Sequence, residues 1–406
     1  MGSRLAILPI LFAVFLLTCC VEHPTVSSVR PSGVLPVFRI DTRKSMSVES
    51  KDRWISGKLT IDSTDLVQKL YIKGRGNTTW RRSEKRPYRI KLDEATSLFE
   101  AKQSKHYVLL SEATSPYVMI ATVMGFELSR RLGMDYTPQV SPIELVLNGD
   151  YRGVYLLTEQ LRVEPGRVEV KPWPKRDSWT DRGGWLLEID GWPTFQRLTI
   201  NSRMGVNITL EYHYPSDLSL WQRKYINQLL DRVDSAICVA DKSSTEWEQL
   251  VDIDALARFY IVNELMDNCE AFSGSCWLSR DAGDAAKFKF GPVWDFGSAF
   301  SHRYIDKPEC FVYEEMPSYC SPLWLKELIR FPRFQQKVRE HYRRLKAKDG
   351  DNLDGFIDEF VQRVAPACSC EASRWPQSPV ANLKEQAEWA KQYYKRKIAF
   401  LDSKWL

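Results

Sequence analysis

The spacing of apolar residues shifts along this chain from mostly strand-like to mostly helical, and that shift limits the fold more than any single motif does. In the first half, "LPVFRIDT", "GKLTIDS", "QKLYIKG" and "KRPYRIKL" are short runs of strand composition. The last of them places Tyr88, Ile90 and Leu92 on one face and Arg89 and Lys91 on the other. "IELVLNGDYRGVYLLTEQL" predicts a hairpin turning at Asn148-Gly149-Asp150, and "GGWLLEIDG" a further strand. A helix interrupts them at "YVMIATVMGFELSRRLG", where Ile120, Val123, Met124, Phe126 and Leu128 form a stripe and Gly133 suits the C-terminal cap. From Leu218 onward the spacing is helical, in "WQRKYINQLLDRVDSAI", "DIDALARFYIVNELM" and the stretch beginning "PLWLKELIRFPRFQQKVREHYRRLKA". Strands first and helices later predict an α+β domain over 35–406 with two lobes, one β-rich over about 35–215 and one mostly helical over about 216–406. A length of 406 residues, 44% of them apolar, supplies ample core.

The first residues predict export. Arg4 precedes "LAILPILFAVFLLT", an apolar run too short for a comfortable membrane span and suited to a signal sequence. It ends at Cys19-Cys20, so 1–19 reads as a lipoprotein-type signal peptide with Cys19 or Cys20 as lipid acceptor. Residues 20–34 then read as a polar, proline-containing tether. An ordinary cleaved signal peptide is the alternative. With the lipid, the expected location is the cell envelope, anchored in the outer membrane or at the cell surface. Seven further cysteines show no C-x-x-C spacing. In an oxidising compartment they predict one or two disulfides, Cys310–Cys320 being the easiest loop to close. The 57 basic against 52 acidic residues leave a scattered +5, which gives no footprint for nucleic acid.

Several stretches carry residue types suited to phosphoryl transfer. In "KGRGNTTW", Gly74 and Gly76 flank Arg75, so backbone amides and a guanidinium fork can meet an anion. Such a turn can equally be only a turn. Lys91 is a strand lysine of the kind that holds α/β-phosphates when an acidic partner fixes its ammonium, and Glu159 is the candidate partner. The alternative for Lys91 is a solvated strand face. Glu188 and Asp190 share one face of a strand, fit to bind a cation or a nucleotide or simply to be its wet side. "NELMDNCEAFSGSC" presents Asp267, Asn268 and Glu270 after a helix, where a catalytic carboxylate and a metal ligand are needed. Asp295, in "FGPVWDFGSAF", is placed to take magnesium, which prefers hard oxygen ligands. The five histidines fall in no H-E-x-x-H or triad-like setting, and no G-x-S-x-G occurs, which leaves peptidase and esterase chemistry without support.

Taken together, "IKGRGNTTW…KRPYRIKL", "IELVLNGDYRGVYLLTEQ", "GGWLLEIDG" and "FGPVWDFGSAF" resemble the CotH family of spore-coat-protein-H-like kinases, and its secreted bacterial lipoprotein members in particular. The resemblance runs from about residue 35 to the C-terminal helices. It implies an atypical, two-lobed protein-kinase-like fold that uses ATP and Mg2+ to phosphorylate serine or threonine of a partner protein. By that likeness Arg75, Gly76 and Lys91 would contact phosphates, Glu159 would pair with Lys91, and Glu188 and Asp190 would line the nucleotide. Asp267 and Glu270 would serve catalysis, and Asp295 and Asn268 would hold metal. The chain departs from the family pattern at Gly297, where W-D-x-D has its second aspartate, and at Glu270, where N-x-D ends in aspartate. It departs again at Thr114-Ser115, where an aspartate is expected. These departures leave a second expectation, a catalytically silent surface protein that binds a protein or glycan.

Overall fold

The computed structural model describes residues 27–62, 64–98, 102–111, 116–173, 182–191, 197–205, 207–300, 307–314 and 324–406. Strands β1 (Val37–Thr42), β2 (Ile55–Ile61), β3 (Val67–Gly74), β4 (Tyr88–Thr96), β5 (Ser104–Leu110), β6 (Val140–Leu147) and β7 (Asp150–Glu159) close into a barrel in the order β1-β2-β3-β4-β5-β7-β6. Neighbouring strands are antiparallel except at the seam, where β1 runs parallel to β6 with Phe38 opposite Leu145. The alternation read in β4 holds. Tyr88, Ile90 and Leu92 join Phe38, Leu59, Ile72, Leu109, Leu145 and Leu157 inside the barrel, while Arg89 and Lys91 face outward. The β6–β7 turn is built on Asn148 and Gly149 at φ 54° and 79°, the left-handed pair that a type I′ hairpin demands.

Helix α1 (Thr78–Arg82) lies in the β3–β4 connection, and α2 (Val118–Arg131) packs against the helical half through the apolar cluster that includes Met124, Phe126 and Leu128. A second sheet follows, made of β8 (Trp185–Ile189), β9 (Arg197–Asn201), β10 (Asn207–Tyr214), β11 (Cys276–Arg280) and β12 (Phe288–Phe290), in the order β12-β11-β8-β10-β9. It draws strands from both sides of residue 216, so the boundary expected there passes through a sheet. The remaining elements are helical: α3 (Leu220–Ile237), α4 (Trp247–Leu250), α5 (Ile253–Leu265), α6 (Leu325–Leu328), α7 (Pro332–Lys346), α8 (Asp354–Arg374) and α9 (Leu383–Trp405). The chain is thus mixed α+β, with a β-rich N-terminal part and a helical C-terminal part. Ser219 and Gln222 start α3 with a reciprocal capping box, and Asp252 starts α5 by accepting from the Ala255 N–H at 2.9 Å.

One apolar cluster joins the halves. Val154 and Leu156 on the outer side of β7 meet α2, the second sheet, α5, α7 and α9. A buried ion pair crosses the same boundary: Lys85 Nζ lies 2.6 Å from Glu371 Oε1, with side-chain exposures of 2% and 0%. Residues 27–34 of the expected tether are docked on the barrel. Ser27 N–H donates to Asp150 at 3.0 Å, and Ser32 donates to Glu144 through its N–H at 2.8 Å and its hydroxyl at 2.7 Å. The signal segment, Cys19 and Cys20 lie outside the described residues, as do Thr114, Ser115 and Cys320, the expected partner of Cys310. Among the described residues no helix is long and apolar enough to cross a membrane.

Candidate functional site

The loop after β3 brings the barrel to the WDFG segment. Gly76 has φ +78°, a left-handed backbone that favours glycine, and next to it Arg75 N–H donates to Pro87 O at 3.2 Å. The Arg75 guanidinium reaches the Trp294 ring, 5.9 Å from its centroid. Trp294 in turn sits 5.9 Å from Phe126 of α2. Two stretches separated by more than half the chain thus meet around Asp295.

Lys91 and Glu159 do not form the expected ion pair. Lys91 is exposed on the outer face of β4, opposite His106. Glu159 follows Tyr155 and Leu157 on the interior side of β7, so the two strands turn these residues to opposite faces. Its carboxylate is instead 2.6 Å from Arg167 and accepts from the Tyr136 hydroxyl at 3.1 Å and the Gln139 N–H at 2.9 Å.

The outward residues that do converge are cations the motif reading passed over. Lys73 and Arg89 are cross-strand neighbours and share the Trp54 ring, at 5.1 and 5.9 Å from its centroid. Burial pushes Arg89 down to about 10, and the charges of Arg162 and Arg75 push the same way. His106 is pushed down to about 3, first by burial and then by Arg162, Arg89, Lys91 and Lys105. Arg89 Nε, Arg162 Nε and His106 Nδ1 are buried without a hydrogen-bond partner among the described residues. The signal for Arg89 was present in "KRPYRIKL", where it shares Lys91's face. Its register opposite Lys73, nearer the glycine turn, was needed to choose between them.

The second sheet carries Glu188, His213 and Trp277. Glu188 of β8 is buried between Glu211 and Trp277 on the adjacent strands, and its carboxylate lies 2.8 Å from His213 Nε2. Burial raises its pKa, the nearby Asp190 adds to that, and His213 and Ser275 oppose it. The His213 ring lies 4.3 Å from the Trp277 ring, tilted by 38°. Asp190 follows at the end of β8, its N–H donating to Thr209 O at 3.1 Å.

The loop after α5 divides the three residues named there. Asp267 is turned inward, with its carboxylate held by the Tyr393 hydroxyl and by Lys397 Nζ at 3.3 Å, in a buried network shared with Glu264. It is therefore engaged by α9 rather than presented as a catalytic carboxylate. Asn268 is buried and faces the other way. Its Nδ2 donates to Asn263 Oδ1 and to the backbone carbonyl of Asp295, both at 3.1 Å, while its Oδ1 has no partner among the described residues. Glu270 accepts from the Ser298 hydroxyl at 2.6 Å, three residues past Asp295. Asp295 itself is exposed at φ +56°, and its Oδ1 accepts from the Gly297 N–H at 3.1 Å. Behind it Phe296 is buried and packs edge-on to Phe126, anchoring the segment to α2.

The Asn268 amide oxygen and the Asp295 and Glu270 carboxylates are hard-oxygen donors of the kind that suit a divalent cation. Among the described residues no three of His, Cys, Asp and Glu form a ready-made metal cage. Magnesium held partly by phosphate oxygens does not need one. No curated protein matches the chain. A family model described as CotH kinase protein matches residues 72–401, a span that begins at the end of β3 and runs into α9. It takes in the glycine turn, the cationic outer face of β4, Glu188 and the Asn268–Asp295 contact together, and the chain belongs to the CotH kinase protein family.

Proposed function

We propose that this protein is an atypical, two-lobed protein kinase that transfers the γ-phosphoryl group of ATP to serine or threonine of an envelope or secreted protein. The barrel would be the nucleotide-covering lobe, and α5, its following loop, the β11–β12 hairpin and Asp295 the catalytic half. The observation that carries the reading is Asn268. Its amide nitrogen is bonded to the Asp295 backbone, which ties the loop after α5 and its orphaned Oδ1 to the segment carrying Asp295, and Ser298 of that segment donates to Glu270. Asn268, Asp295 and Glu270 would hold magnesium, which when bound neutralises charge on the transferring phosphoryl group. The leader residues and Cys19 or Cys20 would place the domain on the envelope by a lipid anchor, with the docked residues 27–34 holding the barrel close to it.

A second reading, a silent binding protein, is favoured by one feature. Gly297 stands where the family pattern carries an aspartate, its N–H occupies Asp295 Oδ1, and a Cβ added there would lie 3.0 Å from that oxygen. The test uses the chain without its leader and measures ATP-dependent thermal shift and label transfer, with and without magnesium, beside Asp295→Ala. Magnesium-dependent ATP binding that is lost in Asp295→Ala, together with transfer by the wild type, is the expected result. Wild type that neither binds ATP nor transfers label refutes the reading.

A further inference from the structure

The outer face of β3, β4 and β5 keeps cations together at a cost. Four guanidinium or ammonium groups, Lys73, Arg75, Arg89 and Arg162, converge there, and His106 lies among them. A protein surface ordinarily intersperses its charges, and a buried cation ordinarily has an anionic partner. Arg162 has one, Glu164 at 3.3 Å, and Lys73 feels Asp52. Arg89 is different: it is largely buried, its Nε is unsatisfied, and the charged neighbours acting on it are Arg162 and Arg75. Its guanidinium carbon lies 5.9 Å from the Trp54 ring centroid, a cation–π contact that favours one placement of the fork. Two neighbouring guanidiniums and an imidazole bring several N–H donors to one side of the barrel. That matches the tetrahedral, multiply charged oxygens of a phosphate chain better than a single carboxylate.

We propose that Arg89 and Arg162, with His106 between them and Arg75 leading toward Asp295, form the seat for a polyphosphate chain, and that Lys91 is peripheral to it. This rests on the nucleotide reading given above and assigns the residues that hold the phosphates. Arg75 links the seat to the metal end, since its guanidinium lies over Trp294, the residue before Asp295. Lys91, on the exposed part of the same strand face, adds to the field.

The test is calorimetric titration of the leaderless chain with inorganic tripolyphosphate, with ATP and with adenosine. It is run in about 0.1 M salt, where exposed charges are largely screened beyond about 10 Å. Wild type is compared with Arg89→Met, Arg162→Met, Lys91→Met and the control Lys58→Met, an exposed lysine on β2. Tripolyphosphate and ATP are expected to bind, with adenosine failing to displace tripolyphosphate. Arg89→Met and Arg162→Met are each expected to weaken both ligands about 10- to 150-fold, the worth of a charged hydrogen bond. Lys91→Met should cost less than either, and Lys58→Met nothing. Because Arg89 is held against like charges, Arg89→Met should also melt no lower than wild type, which keeps the binding loss from being read as unfolding.

Full tripolyphosphate affinity in Arg89→Met and Arg162→Met, or a loss as large in Lys58→Met, overturns the seat. So does a loss confined to Lys91→Met. Tripolyphosphate binding that depends on Arg89 in a protein that transfers no label leaves the seat standing and removes the kinase reading. Label transfer with undiminished affinity in Arg89→Met does the reverse.

Discussion

The buried pair between Lys85 and Glu371 gives a sharp stability prediction. Glu371 Oε1 accepts from Lys85 Nζ at 2.6 Å and from the Ser378 hydroxyl, while Oε2 accepts from the Val154 N–H at 2.8 Å. Lys85 Nζ also donates to the Val154 carbonyl at 2.6 Å and stands 5.2 Å from the Tyr155 ring centroid. Glu371→Leu therefore strands a buried ammonium, at about 3–5 kcal/mol. It also orphans the Val154 N–H, at about 1–3 kcal/mol. The two losses overlap, so about 4–6 kcal/mol is expected. Removing both charges in Lys85→Met/Glu371→Leu leaves the orphaned amide but no buried ion, and should recover about 3 kcal/mol or more. The assay is urea unfolding at pH 7 for wild type, both single variants and the double. A double variant no more stable than Glu371→Leu would refute the reasoning, because the cost would then lie in packing rather than in the stranded charge.

Gly125→Ala places a Cβ 2.2 Å from Phe296 Cζ, so the gain in helix propensity of about 1 kcal/mol is overridden by overpacking of about 1–3 kcal/mol. Magnesium-dependent ATP binding should fall with it, since Phe296 anchors Asp295, and unchanged melting and unchanged binding would contradict that anchoring. For His106 the native pKa lies near 3 and the unfolded value near 6.5. Across that window the unfolded chain therefore binds a proton that the native state does not, and stability falls as pH drops from about 6.5 toward about 3. The cations that face it are Arg162, Arg89, Lys91 and Lys105. His106→Asn should accordingly lose less stability between pH 7 and pH 4.5 in matched unfolding curves, and identical acid profiles would show that His106 is not held neutral.

Local signals in the sequence carried much of the fold. The β4 alternation, the Asn148-Gly149 turn and the α2 stripe each depend on neighbours within a few residues, and each is found as read. Closure of the barrel depends on β1 pairing in parallel with β6, which leaves no local mark, because the partner of Phe38 is Leu145. The second sheet hides for the same reason: Glu188 pairs across to Trp277, on the far side of α3, α4 and α5. At the site, the residues of the loop after α5 were found but not sorted. Which of Asp267, Asn268 and Glu270 faces the cleft depends on Tyr393 and Lys397 at the other end of the helical half claiming Asp267. Arg167, in turn, claims Glu159 from the segment just beyond β7.

The same long-range placement decides between Arg89 and Lys91, and the chemistry of the two side chains makes the choice consequential. Arg89 is pushed down to about 10 and remains charged at neutral pH, because a guanidinium begins near 12.5. A lysine in its place, lowered by the same amount from about 10.4, would fall near pH 8 and surrender part of its charge at neutrality. A phosphate-binding lysine therefore needs a carboxylate close by to keep its proton, which is the reason Glu159 was first sought for Lys91. Glu159 is taken by Arg167 and turned to the barrel interior. Without that carboxylate, an arginine beside Trp54 can hold a full positive charge among other cations. In the proposed phosphate seat, the usual lysine–glutamate device would thus be replaced by a side chain that needs no counter-ion to stay charged.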